Sequence, residues 1–231
     1  LRSKAPLVPF AFFKRRTITG TNVVALLVAM ALFSMFFFIS LYMQQVLGYD
    51  PLEAGVAYLP LAGGIIVSAG VASQLTTRFG VKPVLIAGLL LTAIGLLWFS
   101  QISVGGNYVD DILFPSLIAA FGLGFAFVPM TVAAVAGVEP HEAGLASGLI
   151  NTSQQVGGAL GLAVLAAIAN SRRESLTEAG TALPNALTEG FQTALMVGAG
   201  FAIVGALLAL LLVGRGDRQE RVDGELVAVS A

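Results

Sequence analysis

Six apolar blocks follow one another along this chain, at 18–43, 54–74, 83–103, 112–138, 143–170 and 189–213. Each is close to the ~20 residues that cross ~30 Å of hydrocarbon as a helix. The blocks are continuous rather than alternating, which argues for helices and against a membrane barrel. The pattern therefore predicts an all-α membrane protein of six transmembrane helices over 18–213. Residues 1–17 read as a cytoplasmic link into the first span. Residues 214–231 are charged at first, hold no sustained period and read as a disordered cytoplasmic tail.

The blocks differ in polarity. The third (VLIAGLLLTAIGLLWF) and sixth (LMVGAGFAIVGALLALLLV) are nearly pure hydrocarbon and can face lipid. The fifth is the most polar, with Ser147, Asn151, Thr152, Ser153, Gln154 and Gln155. Asn151, Gln154 and Gln155 stand at i, i+3 and i+4, hence on one helical face. Lipid gives no reason to place three amides there, whereas a protein-lined or water-lined face does. Two roles fit them: the wall of a transport path, or hydrogen bonds that join helices. Further candidates for a cavity are Asn22, Met30, Ser34 and Phe37 in the first block, Tyr58 in the second, and Phe127 and Met130 in the fourth. Gly144 with Gly148, and Gly157 with Gly161, form G-x-x-x-G pairs that let helix backbones approach closely; Gly63, Gly64, Gly70, Gly122 and Gly124 are read the same way. Pro60 and Pro129 are expected to disturb the second and fourth helices. The connection 171–188 is expected to be the longest, polar and mobile.

A short repeat supports two triplets. The second block opens Glu53-Ala54-Gly55-Val56-Ala57 and the fifth opens Glu142-Ala143-Gly144-Leu145-Ala146, each after a turn holding proline. Opposite starting sides for the two copies are what a three-plus-three inverted repeat requires.

Charge sets an expected orientation. Arg2, Lys4, Lys14, Arg15, Arg16, Arg78, Lys82, Arg215, Arg218 and Arg221 fall on one side of a six-span layout, Arg172 and Arg173 on the other. By the positive-inside rule both termini are cytoplasmic. All 12 basic and 13 acidic residues lie in loops or at helix ends, so this piece has no intramembrane acid to carry a proton.

Composition narrows the functional classes. At 57% hydrophobic and 11% charged the chain is far from a soluble domain. A net charge of −1 offers nothing to nucleic acid, and there is no cysteine. No cofactor site is indicated, and a metal site is not expected. His141-Glu142 has no second histidine to make H-E-x-x-H. Gly144-Leu145-Ala146-Ser147-Gly148 is not G-x-S-x-G. An enzyme is not expected; a non-transporting membrane scaffold remains an alternative. His141 is read as solvated beside Glu139 and Glu142, and Asp110 and Asp111 as helix-start charges. The chain opens LRSKAP, without methionine, and is expected to be a piece of something longer.

The turn Ser73-Gln74-Leu75-Thr76-Thr77-Arg78-Phe79-Gly80-Val81-Lys82 resembles the cytoplasmic signature loop of the major facilitator superfamily, G-x-L-x-D-R-x-G-R-K/R. Leu75, Arg78, Gly80 and Lys82 match, while Ser73, Thr77 and Val81 depart from it. YMQQVLGYDPLEAGVAYLP, GLGFAFVPM and EAGLASGLINTSQQVGGALG are similar to the carboxyl-terminal half of the fourteen-helix drug:proton antiporter branch. The resemblance implies one half of a multidrug efflux transporter. It would export hydrophobic or cationic, drug-like small molecules against protons by alternating access, in a bacterial inner membrane. It further implies that the first, second, fourth and fifth helices line the path. The amino-terminal half would be the missing partner and would hold the proton-bearing acids. A sugar, peptide, siderophore or natural product is the alternative cargo. Arg78, Gly80 and Lys82 would act in cytoplasmic gating, or simply anchor the loop.

Overall fold

A computed structural model describes residues 16–213, except 137 and 139. The expected link (for 1–15), the tail and Glu139 lie outside the described residues. The chain forms α1 (Arg16–Gln45), α2 (Pro51–Ala57), α3 (Leu59–Phe79), α4 (Val81–Phe99), α5 (Phe114–Val135), α6 (Ala143–Glu178) and α7 (Leu183–Leu212). α2 and α3 act as one span, so among the described residues six stretches are long and apolar enough to cross a membrane. A single π turn, Val109–Leu113, leads into α5.

Prolines explain the irregular points. Pro60 has no N–H and its ring crowds the carbonyl four residues back, so the helix breaks at Tyr58. Pro115 stands in the first turn of α5, where its missing N–H costs nothing, and the preceding turn is wide. Pro129 lies inside α5, and the helix continues through it. Asp50 caps α2, accepting from the backbone N–H of Leu52 and Glu53, while Glu53 accepts in return from the N–H of Asp50. This reciprocal box is the physical role of the first copy of the repeat.

The packing follows a two-fold exchange of triplets. α1 packs on α6 and α7, and α5 packs on α3 and α4. The third helices, α4 and α7, pack on each other, and so do the first, α1 and α5. The first helix of each triplet is thus clasped by the second and third of the other, as an inverted repeat requires. α4 and α7 present Leu90, Ile94, Leu97, Leu207, Leu210 and Leu211 outward, a surface fit for hydrocarbon.

The two ends of the bundle differ. At the end holding Gly180, hydrogen bonds join several elements. The Tyr42 hydroxyl reaches the Ser103 carbonyl at 2.7 Å and Asp111 Oδ2 at 2.9 Å. Tyr108 donates to the Ala57 carbonyl at 3.0 Å, and Gln192 to that of Ile102 at 2.6 Å. Burial, with Tyr49 nearby, raises the Tyr108 phenol above its ordinary range, so the donor persists into more alkaline solution than that of a free phenol. Asp111 is therefore more than a helix-start charge: it holds the α4–α5 connection against α1. At the opposite end Lys82 donates to the Leu210 carbonyl in the last turn of α7, where a cation suits the helix dipole.

The connection expected over 171–188 is corrected. α6 runs on to Glu178 and α7 starts at Leu183, leaving only residues 179–182 between them. No glycine or proline interrupts 171–179, so the helix has no reason to stop earlier. Asn170 donates to Glu174 one turn on at 2.8 Å, and Arg172 pairs with Glu189 of α7 at 2.9 Å. Gly180, at φ +85°, makes the turn that other residues resist.

The glycine pairs divide. A Cβ on Gly157 would overlap the Leu26 carbonyl oxygen, and one on Gly161 would overlap Met30. These two set the close approach of α1 and α6. Gly144, Gly148, Gly63 and Gly70 meet nothing within 4 Å, so their expected packing role is not exercised among the described residues. Gly157→Val is expected to lower stability by about 1–3 kcal/mol, as overpacking does. Gly144→Val should leave it within about 0.5 kcal/mol. Thermal unfolding of the two variants in one detergent checks the difference.

Candidate functional site

α6 buries one stripe, which includes Ala146, Gly157, Gly161 and Leu165, against α1 and α7. The exposed remainder carries two rows of opposite character. Ser147, Asn151 and Gln155 are exposed and polar at successive i+4 steps. Val156, Leu160 and Val164 are 44–50% exposed and apolar at the same steps. Each residue of one row is nine positions from its counterpart in the other. At ~100° per residue that is about 180°, so the rows occupy opposite flanks of the helix.

The polar groups of α6 are satisfied unequally. Thr152 donates to the Gly148 carbonyl at 2.8 Å, within its own helix. Ser153 donates to Asn22 Oδ1 at 2.9 Å, and Asn22 Nδ2 donates to the Ile18 carbonyl at 2.9 Å. That short chain joins α6 to α1. Asn151, Gln154 and Gln155 make no side-chain hydrogen bond among the described residues. An amide with no partner costs about 4–8 kcal/mol in pure hydrocarbon and about 1–3 kcal/mol by protein measurements. The exposed Asn151 flank is therefore unsuited to lipid, while the Leu160 flank is made for it.

α1 extends the polar flank. Phe33, Phe37, Ser40 and Gln44 fall on one helical face at steps of three or four. Phe33 is 43% and Phe37 40% exposed, and Gln44 donates to Ser40 at 2.9 Å. The Phe33 ring lies against Gly158, 2.9 Å from where its Cβ would stand. Gly158 follows Asn151 by seven and Gln155 by three, on the same flank. Aromatic rings from α1 and amides from α6 thus form one continuous open surface.

The other cavity candidates take different places. Asn22, Met30, Ser34 and Met130 are buried and do not reach the open surface. Met30 is covered because Gly161 lets α6 settle onto it. Asn22 is consumed in the bond to Ser153, and Met130 packs in the cluster shared with Leu85, Leu89 and Ala126. The Ser34 oxygen is buried with no partner. Tyr58 is half-buried and donates to the Phe36 carbonyl at 2.8 Å, with its ring 5.2 Å from that of Phe36. Phe127 is half-buried between two packing clusters. Phe33 was legible in principle, since it precedes Phe37 by one turn, but the run Phe36-Phe37-Phe38 masks the period.

The signature-loop residues hold a tight corner. Gly80, at φ +92°, ends α3 with its N–H on the Thr76 carbonyl and starts α4. Arg78 closes the last turn of α3 and lies 5.4 Å from the Phe79 ring centre. Lys82 binds α7, as described above.

Paired triplets, six apolar spans and one polar flank define a polytopic membrane protein of the transporter kind. Residues 2–162 match the model of the Major Facilitator Superfamily, and the chain belongs to that superfamily of transporters, which are not enzymes. It is 32% identical over 229 residues to the puromycin resistance protein of Streptomyces alboniger, covering 96% of this chain and 45% of that one. It is 36% identical over 172 residues to the tetracenomycin C resistance and export protein of Streptomyces glaucescens, covering 74% and 32%. It is 34% identical over 168 residues to the cephamycin export protein of Amycolatopsis lactamdurans, covering 72% and 35%. The chain spans less than half the length of each of these relatives.

The bond between Asn22 and Ser153 gives a direct check on structural against surface polarity. Asn22→Leu should destabilise by about 1 kcal/mol, a buried interhelix bond lost with its partner stranded. Asn151→Leu should change stability by less than about 0.5 kcal/mol. Unfolding midpoints in detergent distinguish the two.

Proposed function

We propose that this chain is one half of an exporter of hydrophobic or cationic small molecules, working by alternating access in exchange for protons. One observation carries the reading: the amides Asn151 and Gln155 stand exposed without partners on the flank opposite the lipid-suited row. In an assembled transporter that flank, with Phe33 and Phe37, faces a second half across a central path. Aromatic rings supply apolar contact and the amides orient a cargo, as in most small-molecule sites. The three relatives are named for resistance to, or export of, antibiotics, which supports a drug-like cargo.

The described charged side chains stand within two turns of a span end. The coupling acids of an antiporter therefore belong to the partner half. Arg78 and Lys82 mark the Gly80 end as cytoplasmic by the positive-inside rule, with Arg78, Gly80 and Lys82 forming a corner that turns with the half as a unit.

The test uses the whole transporter in proteoliposomes with an imposed proton gradient. Ethidium and puromycin should be moved by the whole protein and by neither half alone. Asn151→Leu and Gln155→Leu should alter the ratio of the two fluxes by about tenfold, while Leu160→Ala on the opposite flank leaves it unchanged. Proton-driven flux through this chain alone, or equal effects on both flanks, would overturn the reading.

A further inference from the structure

Toward the Gly180 end, α1, α6 and α7 part around a cavity of about 200 Å³. Its wall is apolar: Phe38 and Phe191 are buried, Leu41, Ala166 and Leu187 half-buried, and Phe37 exposed at its mouth. Three polar residues line it as well: Gln45 and Asn170 are exposed and Arg173 is half-buried. The cavity is thus graded from hydrocarbon to cation at the level where the helices leave the membrane.

Two adjacent arginines behave differently there. Arg172 pairs with Glu189 at 2.9 Å and so ties α6 to α7. Arg173 meets Glu174 only at 3.7 Å, and that same Glu174 oxygen accepts a 2.8 Å bond from Asn170. The Arg173 guanidinium, with donors arranged for a phosphate or carboxylate, faces the rim without a hydrogen-bonded acid.

The size fixes the apolar part of the ligand. The cavity exceeds the ~150 Å³ that admits one benzene ring and falls short of the ~300 Å³ at which drug-sized pockets begin. A volume of this order suits one chain segment. We infer that this is a lipid site: an anionic phospholipid sets its phosphate against Arg173, with Gln45 and Asn170 beside it, and lays one acyl chain into the cavity. Basic pockets between membrane helices on the cytoplasmic side recognise anionic head groups by this chemistry, and here the same pairing of cation and apolar cleft stands at the other end. The inference needs only that the chain spans a membrane; Phe37 is the one residue this cavity shares with the proposed cargo surface.

Native mass spectrometry of the whole protein, with phosphatidylglycerol or phosphatidylcholine of identical chains, tests it. The unmodified protein should retain phosphatidylglycerol about tenfold more strongly, the factor expected of one charge-assisted contact. Arg173→Gln should abolish the preference, Arg172→Gln should keep it, and Ala166→Phe should reduce retention of both lipids by filling the cavity. Melting curves of each variant show that the fold is kept. Equal retention of the two lipids, or an unchanged preference in Arg173→Gln, overturns the site. Displacement of bound phosphatidylglycerol by soluble decanoate at Arg173 supports it; binding of decanoate alone, with no lipid retained, overturns the lipid source.

Discussion

A polar side chain in a membrane must find a partner or a face that is not lipid. That constraint organises this protein. α6 carries six polar side chains in an otherwise apolar, glycine-rich stretch, and the bundle disposes of them in three ways. Thr152 turns back on its own helix, Ser153 joins α1 through Asn22, and the Ser147–Asn151–Gln155 row is left on a single open flank, with Gln154 half-buried beside it. The opposite flank is valine and leucine. A helix so divided has a defined rotation in the bilayer, and the rest of the fold fixes that rotation.

The fixing is done by close contact. Gly157 and Gly161 bring the α6 backbone onto Leu26 and Met30 of α1, leaving no room for a rotated alternative. The same contact covers Met30, so a residue suited to a pocket becomes packing. Phe33 and Phe37, a turn beyond, escape that cover and join the amide flank. The exchange of triplets packs α4 on α7, and their most exposed large side chains are apolar. Hydrogen bonds from Tyr42, Tyr108 and Gln192 then pin the Gly180 end. Sequence, packing and surface character agree on one arrangement, as a foldable chain requires.

Much of this was legible without coordinates. Apolar runs of spanning length define the helices, and the third and sixth present large aliphatic side chains because nearly all of their length is hydrocarbon. The shared Glu-Ala-Gly opening points to the paired triplets. Proline chemistry foretells the break at Tyr58. What was not legible depends on distance between helices. No periodicity tells whether Gly144–Gly148 or Gly157–Gly161 is the pair in contact, because both have the same spacing. Composition likewise cannot separate Asn22, which spends its amide on Ser153 and Ile18, from Asn151, which spends it on nothing. The polar stretch after Asn170 looks like a loop by hydropathy, yet its residues are good helix formers and it continues α6. Hydropathy reports the solvent of a segment, not its backbone.

The claim that α6 has one wet and one greasy flank can be tested at the residues themselves. The chain has no cysteine, so single thiols can be introduced along it without background from this half. In the assembled transporter in native membranes, thiols replacing Asn151 and Gln155 should react with a membrane-impermeant maleimide. Spin labels replacing Val156, Leu160 and Val164 should instead be relaxed by oxygen dissolved in the lipid and ignored by a water-soluble nickel chelate. Lipid-type relaxation at 151 and 155, with water access at 160, would contradict the account.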